Sequence, residues 1–568
     1  MTRRARFCMQ SVTGLLLLAA LAGPVSAQKL PLGPQALTFA SGVDDSDQVY
    51  GLFLPKNFDE NRSYPLIIML HGAWANHRSA LRDVFGRSTA RGQLPLSDQQ
   101  YIVAAPYGRG TMGYQGIAEQ DVWNVLADVK RRFRIDEDRI YLTGLSMGGG
   151  GTLWLGLSRP DVWTAVAPVC PAPPFGTIPL APNALNLPVY FFQGDADPVV
   201  VPEGTREWVK RLRDLGTSVE YKEYPGVQHN VWENAYAGEF IFQWFGQFKR
   251  NRYPERVRFV TDRYRNNSAY WVVFDKLTPG TFAKIDAQFK GPNRLEIATS
   301  DLGAFALNLA GHPSFTRSRP VEISIDGQNL TATGDSISLT RDGGAWVLRK
   351  YDRPPDAKRP GLEGPMGDII AGRHIYVFGP AGNPPRPEVL RRRAVAARAA
   401  AWTGGMGGPL SLNLRAVPDV WVRPDEDADL VLFGTKETNN VITKLADRLP
   451  MHLVASAEEY GLLYLYPVNG HYVLVSSGLS WFPLTDPAPA GPPELPPGRA
   501  EKRPIPEGTD FLPPVPCDLT KYPDYLLFKG SPANVVAQGR FDDRWRLPAA
   551  DAEKLKASGV VTLTAKTP

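Results

Sequence analysis

Between about residues 37 and 249, short apolar or β-rich runs alternate with segments whose apolar residues recur at helical spacing. PLIIML (65–70), YIVAAP (101–106), RIYLTG (139–144), TAVAPV (164–169), PVYFFQ (188–193) and VEYKEY (219–224) read as strands. Between them Val122, Val125, Leu126, Val129 and Phe133 keep a helical period, as do Trp208, Val209, Leu212 and Leu215. Short apolar strands separated by amphipathic helices predict a doubly wound, mostly parallel α/β sheet over residues 37–250.

After Pro254 the texture changes. RVRFVT, AYWVVFDKL, TFAKIDAQF, RLEIATS, VEISIDGQNL and SISLT are β-branched and aromatic runs broken by turn residues, which predicts a small β-sandwich over 255–350. A charged, proline-containing joint, YDRPPDAKRPGLEGP, reads as a linker. An α/β texture returns over 360–568 in RHIYVFGPAG, the helix-like EVLRRRAVAARAAAW, DADLVLFGTKETNNVITKLADRLP and HYVLVSSG. A Pro-rich segment, 486–516, then precedes a last strand-like DYLLF. The turn at 378–382 lacks the lysine and full glycine spacing of a phosphate loop, so no nucleotide site is expected there. No internal repeat of propeller or solenoid length is present.

With 568 residues, 43% of them hydrophobic and 21% charged, the chain has the material for several globular domains. A formal charge of +5 on that length argues for neither a nucleic-acid nor an anionic-membrane partner, and Arg391, Arg392 and Arg393 read as the solvated face of a helix. Arg3, Arg4 and Arg6 precede an apolar core at 12–22 and Val25-Ser26-Ala27, which predicts a cleavable signal peptide over 1–27 and a secreted or periplasmic protein. General secretion and twin-arginine export both remain open. No later run has the ~18 apolar residues of a membrane span, so no stable membrane insertion is expected. Signal removal leaves Cys170 and Cys517, which either bridge the first domain to the last or stay as two buried thiols.

Candidate chemistry centres on Gly144-Leu145-Ser146-Met147-Gly148, a G-x-S-x-G pattern with a strand running into it and a helix-like segment after it. A serine on such a sharp strand-to-helix turn needs small neighbours, which Gly144 and Gly148 supply, and it lies at the positive end of the helix. A serine hydroxyl needs a base, most often a histidine oriented by a carboxylate. Of the seven histidines only His71, His77 and His229 lie in the first α/β block, and only His229 follows both serine and acid as this fold order requires. For the acid, QGDADPVV offers Asp195 and Asp197; the spacing from Gly194 and the following Pro-Val-Val favour Asp197, with Asp195 shaping the turn. The oxyanion amides are expected from Met147 and, in LHGAW, from Ala73 with Trp74 next, while His71 reads as a structural turn residue. Trp74, Tyr107, Tyr114 and Trp232 lie near these segments as a candidate aromatic acyl pocket, with core or rim packing as the alternative for each. The histidines are few and scattered, with no His-Glu-x-x-His, so neither a metal nor another cofactor is expected.

Taken together, LHGAW, GLSMGGGGTLWLGLSRPDVWTAVAPVC, QGDADPVV and GVQHNVW resemble the secreted α/β-hydrolases of the poly(3-hydroxybutyrate) depolymerase and feruloyl esterase type, which grade into prolyl-oligopeptidase-like (S9) catalytic domains. The resemblance covers roughly residues 45–250. It implies an α/β-hydrolase fold and an exported serine hydrolase acting on a small-molecule or polymeric ester through an acyl-enzyme. A serine peptidase with the same triad is the main alternative, although S9 peptidases usually carry a propeller ahead of the hydrolase domain. A non-catalytic relative would be expected to have lost Ser146, Asp197 or His229. Residues 255–568 resemble C-terminal extensions of predicted bacterial hydrolases and carry no transferable activity.

Overall fold

The computed structural model describes residues 30–86, 97–382, 384–401, 411–483 and 519–564. The expected signal peptide, the Pro-rich segment and Cys517, and with it the proposed bridge to Cys170, lie outside the described residues.

The first domain is built on an eight-stranded sheet. In chain order its elements are β1 (Gly33–Ala40), β2 (Asp47–Leu54), β3 (Tyr64–Leu70), α1 (His77–Val84), β4 (Ile102–Pro106), α2 (Ile117–Arg132), β5 (Ile135–Leu145), α3 (Met147–Ser158), β6 (Ala165–Val169), β7 (Val189–Gly194), α4 (Pro202–Asp214), β8 (Val219–Tyr224), α5 (Trp232–Ala235) and α6 (Phe240–Phe245). The strand order is β1-β2-β4-β3-β5-β6-β7-β8. The hairpin β1–β2 and the pair β2–β4 are antiparallel, and from β4 onward every pairing is parallel. The hairpin is the part that apolar runs did not reveal, because β1 alternates half-buried and exposed residues along an edge.

Strand alternation divides the core between the two faces of the sheet. Leu66, Ile68 and Leu70 of β3 pack with residues of α2, α3 and α4. Ile67 and Met69 point the other way, onto α1 and α6. Every residue of α3 is buried, so this helix is wrapped by protein on all sides. Helix α1 opens on a reciprocal cap in which Asn76 accepts from the Arg78 and Ser79 amides and Ser79 Oγ accepts from the Asn76 amide.

The second domain is a sandwich of two five-stranded sheets around one core. One sheet contains β9 (Arg256–Thr261), β12 (Ala283–Phe289), β13 (Arg294–Ser300), β15 (Val321–Ile325) and β16 (Gln328–Ala332); the other contains β10 (Ser268–Ala269), β11 (Val272–Leu277), β14 (Leu302–Asn308), β17 (Ser336–Asp342) and β18 (Ala345–Leu348). The run VEISIDGQNL folds as a hairpin, since Asp326 and Gly327 both take positive φ, 46° and 83°.

A third domain carries a seven-stranded mixed sheet. Its parallel part comprises β19 (His374–Phe378), β20 (Ala416–Pro418), β21 (Asp429–Phe433) and the strand His471–Gly478, with α7 (Arg386–Ala400) crossing between the first two. On α7, Arg391 and Arg393 are exposed, whereas Arg392 is half-buried and donates to the Gly379 and Ala381 carbonyls, a departure from the expected solvated cluster. Among the described residues no helix is long and apolar enough to cross a membrane.

The domains are joined by buried polar contacts. Asn183 Nδ2 donates to the Leu157 and Val260 carbonyls at 2.8 and 2.9 Å, and its Oδ1 accepts from the Val260 amide at 2.7 Å, tying the first domain to β9. Arg265 of the sandwich pairs with Glu363 and Asp368, which lie ahead of β19. Asn183→Ala strands buried backbone groups on both sides of the first joint, so it is expected to destabilise the folded protein by about 2–4 kcal/mol, read as a lowered urea midpoint.

Candidate active site

Ser146 stands alone between β5 and α3 with φ 55° and ψ −117°, a conformation that costs a non-glycine residue of order 1–3 kcal/mol. Neighbouring backbone holds it there: its amide donates to the Val169 carbonyl at 2.9 Å, and its carbonyl accepts from the Gly150 and Ala172 amides at 2.9 and 3.2 Å. These approaches require missing side chains. A Cβ on Gly144 would lie 2.4 Å from the Gly148 carbonyl oxygen, one on Gly148 2.3 Å from that of Leu70, one on Gly149 2.4 Å from that of Val169, and one on Gly150 1.8 Å from that of Ala172. The glycine run of the sequence is therefore a steric requirement of the turn as well as part of a motif.

His229 arrives on the loop after β8 and spans the gap to the acid. Its Nε2 lies 3.0 Å from Ser146 Oγ and its Nδ1 2.8 Å from Asp197 Oδ2. The Asp197 side chain is fully buried, and its Oδ1 accepts from the Val199 and Val200 amides at 2.8 and 2.9 Å. Gln193, not singled out from the sequence, donates to Asp197 Oδ2 at 3.2 Å and is itself held by the Val200 carbonyl and Thr205. Asp195 turns elsewhere: its Oδ1 accepts from the Gly226 amide at 2.6 Å and shapes the histidine loop. A Cβ on Gly194 would lie 2.2 Å from the Val227 carbonyl oxygen, so the acid turn and the histidine loop touch backbone to backbone.

Met147 is the first residue of α3, and its amide is one of the four that have no acceptor within a helix. The loop 71–74 lies against the turn, because a Cβ on Gly72 would be 3.5 Å from Ser146 Cβ. Of the two amides considered there, that of Trp74 is engaged by Thr111 Oγ1 at 2.8 Å, which leaves Ala73 as the candidate second donor. His71 is fully buried, with Nδ1 and Nε2 each 2.7 Å from a carbonyl oxygen, those of Gly72 and Tyr107. Burial holds its pKa below the usual 6.5 against the opposing pull of the two carbonyls, and the ring braces the loop between them.

The four aromatic candidates separate. Trp74 is 62% exposed, and Trp232 meets His229 edge-on with ring centroids 5.5 Å apart. Tyr107 is half-buried and stacks on His71. Tyr114 is a correction: it is 2% exposed, its hydroxyl donates to the His71 carbonyl, and its ring fills the space beside Gly151, where a Cβ would lie 2.5 Å from it. It supports α3 from the core and lines no acyl pocket.

Cys170, Asp197 and His229 also offer ligand atoms within 4.8 Å of one another. Both imidazole nitrogens are engaged, however, and burial pushes the Cys170 thiol well up, against the thiolate a metal requires. The thiol instead packs behind the histidine, 3.7 Å from the His229 carbonyl oxygen.

The glycine geometry predicts a contrast. Gly150→Ala is expected to destabilise the protein by at least about 3 kcal/mol, because only backbone can yield, whereas Gly204→Ala, in open space on α4, should stabilise it by up to about 1 kcal/mol. Thermal melting of the two variants checks both signs.

Residues 45–177 match the model of the esterase family described as "Putative esterase". Over 126 residues the chain is 30% identical to dipeptidyl-peptidase 5 of Porphyromonas gingivalis, covering 20% of this chain and 18% of that protein. Over 203 residues it is 24% identical to the bifunctional acetylxylan esterase/xylanase XynS20E of Neocallimastix patriciarum, covering 34% of this chain and 29% of that protein. The chain thus spans less than a third of the length of either curated relative. A thermostable esterase of known structure is 26% identical, with a TM-score of 0.32, over 38% of this chain and 63% of that one. The first domain of this chain has the parallel-sheet architecture and serine turn of an α/β-hydrolase, and within it residues 45–177 are similar to the esterase family.

Proposed function

We propose that the protein is an exported serine esterase that cleaves carboxylic esters through an acyl-enzyme formed on Ser146. The observation that carries this reading is the unbroken chain from Ser146 Oγ through His229 to the buried Asp197, at 3.0 and 2.8 Å, on a turn that opens onto the helix N-terminus. His229 Nε2 takes the hydroxyl proton as Ser146 Oγ attacks the ester carbonyl. The oxygen that gains charge is received by the Met147 and Ala73 amides, and Asp197 holds the ring and stabilises the imidazolium. His229 then gives its proton to the departing alcohol. In the second half it removes a proton from water, whose oxygen attacks the acyl carbonyl, and returns that proton to Ser146. No step needs a cofactor.

The exposed Trp74, next to Ala73, and Trp232, against His229, favour an aromatic or otherwise apolar acyl group. Similarity to an acetylxylan esterase supports an ester substrate, small or polymeric, and export follows from the signal pattern at 1–27. The likeness to a dipeptidyl peptidase keeps amide cleavage as a second reading.

Burst kinetics of the mature protein with p-nitrophenyl acetate and butyrate, an aryl ferulate and a dipeptidyl anilide test the proposal. Ester turnover should dominate and fall by about 10⁴-fold or more in Ser146→Ala; anilide turnover dominating would move the assignment to a peptidase. Asp197→Asn should lower kcat about 10³- to 10⁴-fold, while Asp195→Asn, whose neutral side chain still accepts from the Gly226 amide, should stay within about threefold of the parent.

A further inference from the structure

The loop between β4 and α2 reaches the catalytic-type site at one end and the third domain at the other. At the site end, Thr111 Oγ1 holds the Trp74 amide at 2.8 Å, the Tyr107 carbonyl faces His71 Nε2 at 2.7 Å, and Tyr114 donates to the His71 carbonyl. The loop thereby contacts both residues that flank the Gly72-Ala73 pair.

At the other end stands Arg109, fully buried and at φ 63°, between Gly108 and Gly110, which also take positive φ. Its Nε donates to Asp121 of α2 at 2.6 Å, its Nη2 to Ser41 at 2.6 Å, and its Nη1 to Asp44 at 2.8 Å and to the Ser411 carbonyl at 2.9 Å. Ser411 returns the contact, since its amide donates to the Arg109 carbonyl, and the Asn413 amide donates to Asp44 at 2.9 Å. Met112, next to Thr111, packs against the core of the third domain. A segment some 300 residues away in sequence thus completes the shell of the guanidinium that fixes this loop.

We propose that residues 411–413 of the third domain, acting through Arg109 and Thr111, position the oxyanion loop 71–74 of the first domain. This rests on the serine-hydrolase reading of Ser146 and assigns the third domain a part in the chemistry. Thr111, which touches loop 71–74, and Arg109, which fixes the segment that carries Thr111, are positioning residues, because neither touches the reacting atoms. Their effect is felt as the oxygen of the tetrahedral intermediate forms, where a displacement of about 1 Å costs up to 10²-fold in rate.

The test uses the full-length mature protein in four variants. Thr111→Val removes the acceptor for the Trp74 amide, Thr111→Ser restores it, and Ser411→Pro removes the donor to the Arg109 carbonyl. Arg373→Ala breaks only the exposed pair with Asp45 that also joins the two domains. With active sites titrated by the ester burst, Thr111→Val and Ser411→Pro should lose about tenfold or more in kcat per titrated site with KM within about twofold. Thr111→Ser and Arg373→Ala should keep wild-type kcat. Hydrogen exchange of the peptide containing residues 71–75 supplies a readout independent of turnover: it should quicken about tenfold in Ser411→Pro and stay unchanged in Arg373→Ala. Wild-type kcat and exchange in Ser411→Pro would overturn the proposal, whatever Thr111→Val does. A wild-type protein without an ester burst would instead sink the esterase reading, and the exchange data would still decide the positioning.

Discussion

The structure of the first domain depends on one steric constraint, the left-handed backbone at Ser146. A serine keeps φ 55° only if the strand before it, the helix after it and the two flanking strands all come within backbone contact. Gly144, Gly148, Gly149 and Gly150 make that contact possible, and the hydrogen bonds to the Val169 carbonyl and from the Gly150 and Ala172 amides hold the strained residue once it forms. The strain has a chemical consequence: it lifts the hydroxyl out of the strand and leaves the Met147 amide at the free end of α3.

The same principle of backbone meeting backbone recurs at the acid. Gly194 lets the Asp197 turn approach the His229 loop, and Asp195 and Gln193 hold the two sides of that contact. Asp197 is thus fixed by four donors from three directions, two backbone amides, Gln193 and the imidazole. Such over-determination is what keeps a buried carboxylate aimed at one nitrogen.

Beyond the first domain the chain does more than extend it. The sandwich is welded to the first domain through Asn183, and the third domain closes over the β1–β2 hairpin and the Arg109 loop. Buried guanidinium groups are tolerated only when fully hydrogen-bonded, and Arg109 reaches that state with partners from both domains. The first and third domains are therefore parts of one packing problem in spite of their separation along the chain.

Much of this was legible in the sequence where the signal is local and periodic. The six strands β3 to β8 stood out as short apolar or β-rich runs, and the order of serine, acid and histidine narrowed seven histidines to His229. The β1–β2 hairpin did not stand out, because half of β1 faces solvent. Tyr114 and Trp74 are both aromatic residues on loops beside the motifs, yet one is buried beneath α3 and the other lies open. What the sequence by itself determined is the set of local conformations and the chemistry available, since glycine, apolar alternation and a hydroxyl act through their immediate neighbours. Only the tertiary structure decided which aromatic faces the site, which aspartate meets the imidazole and why Arg109 is buried, because each depends on contacts between segments that sequence spacing leaves unconnected.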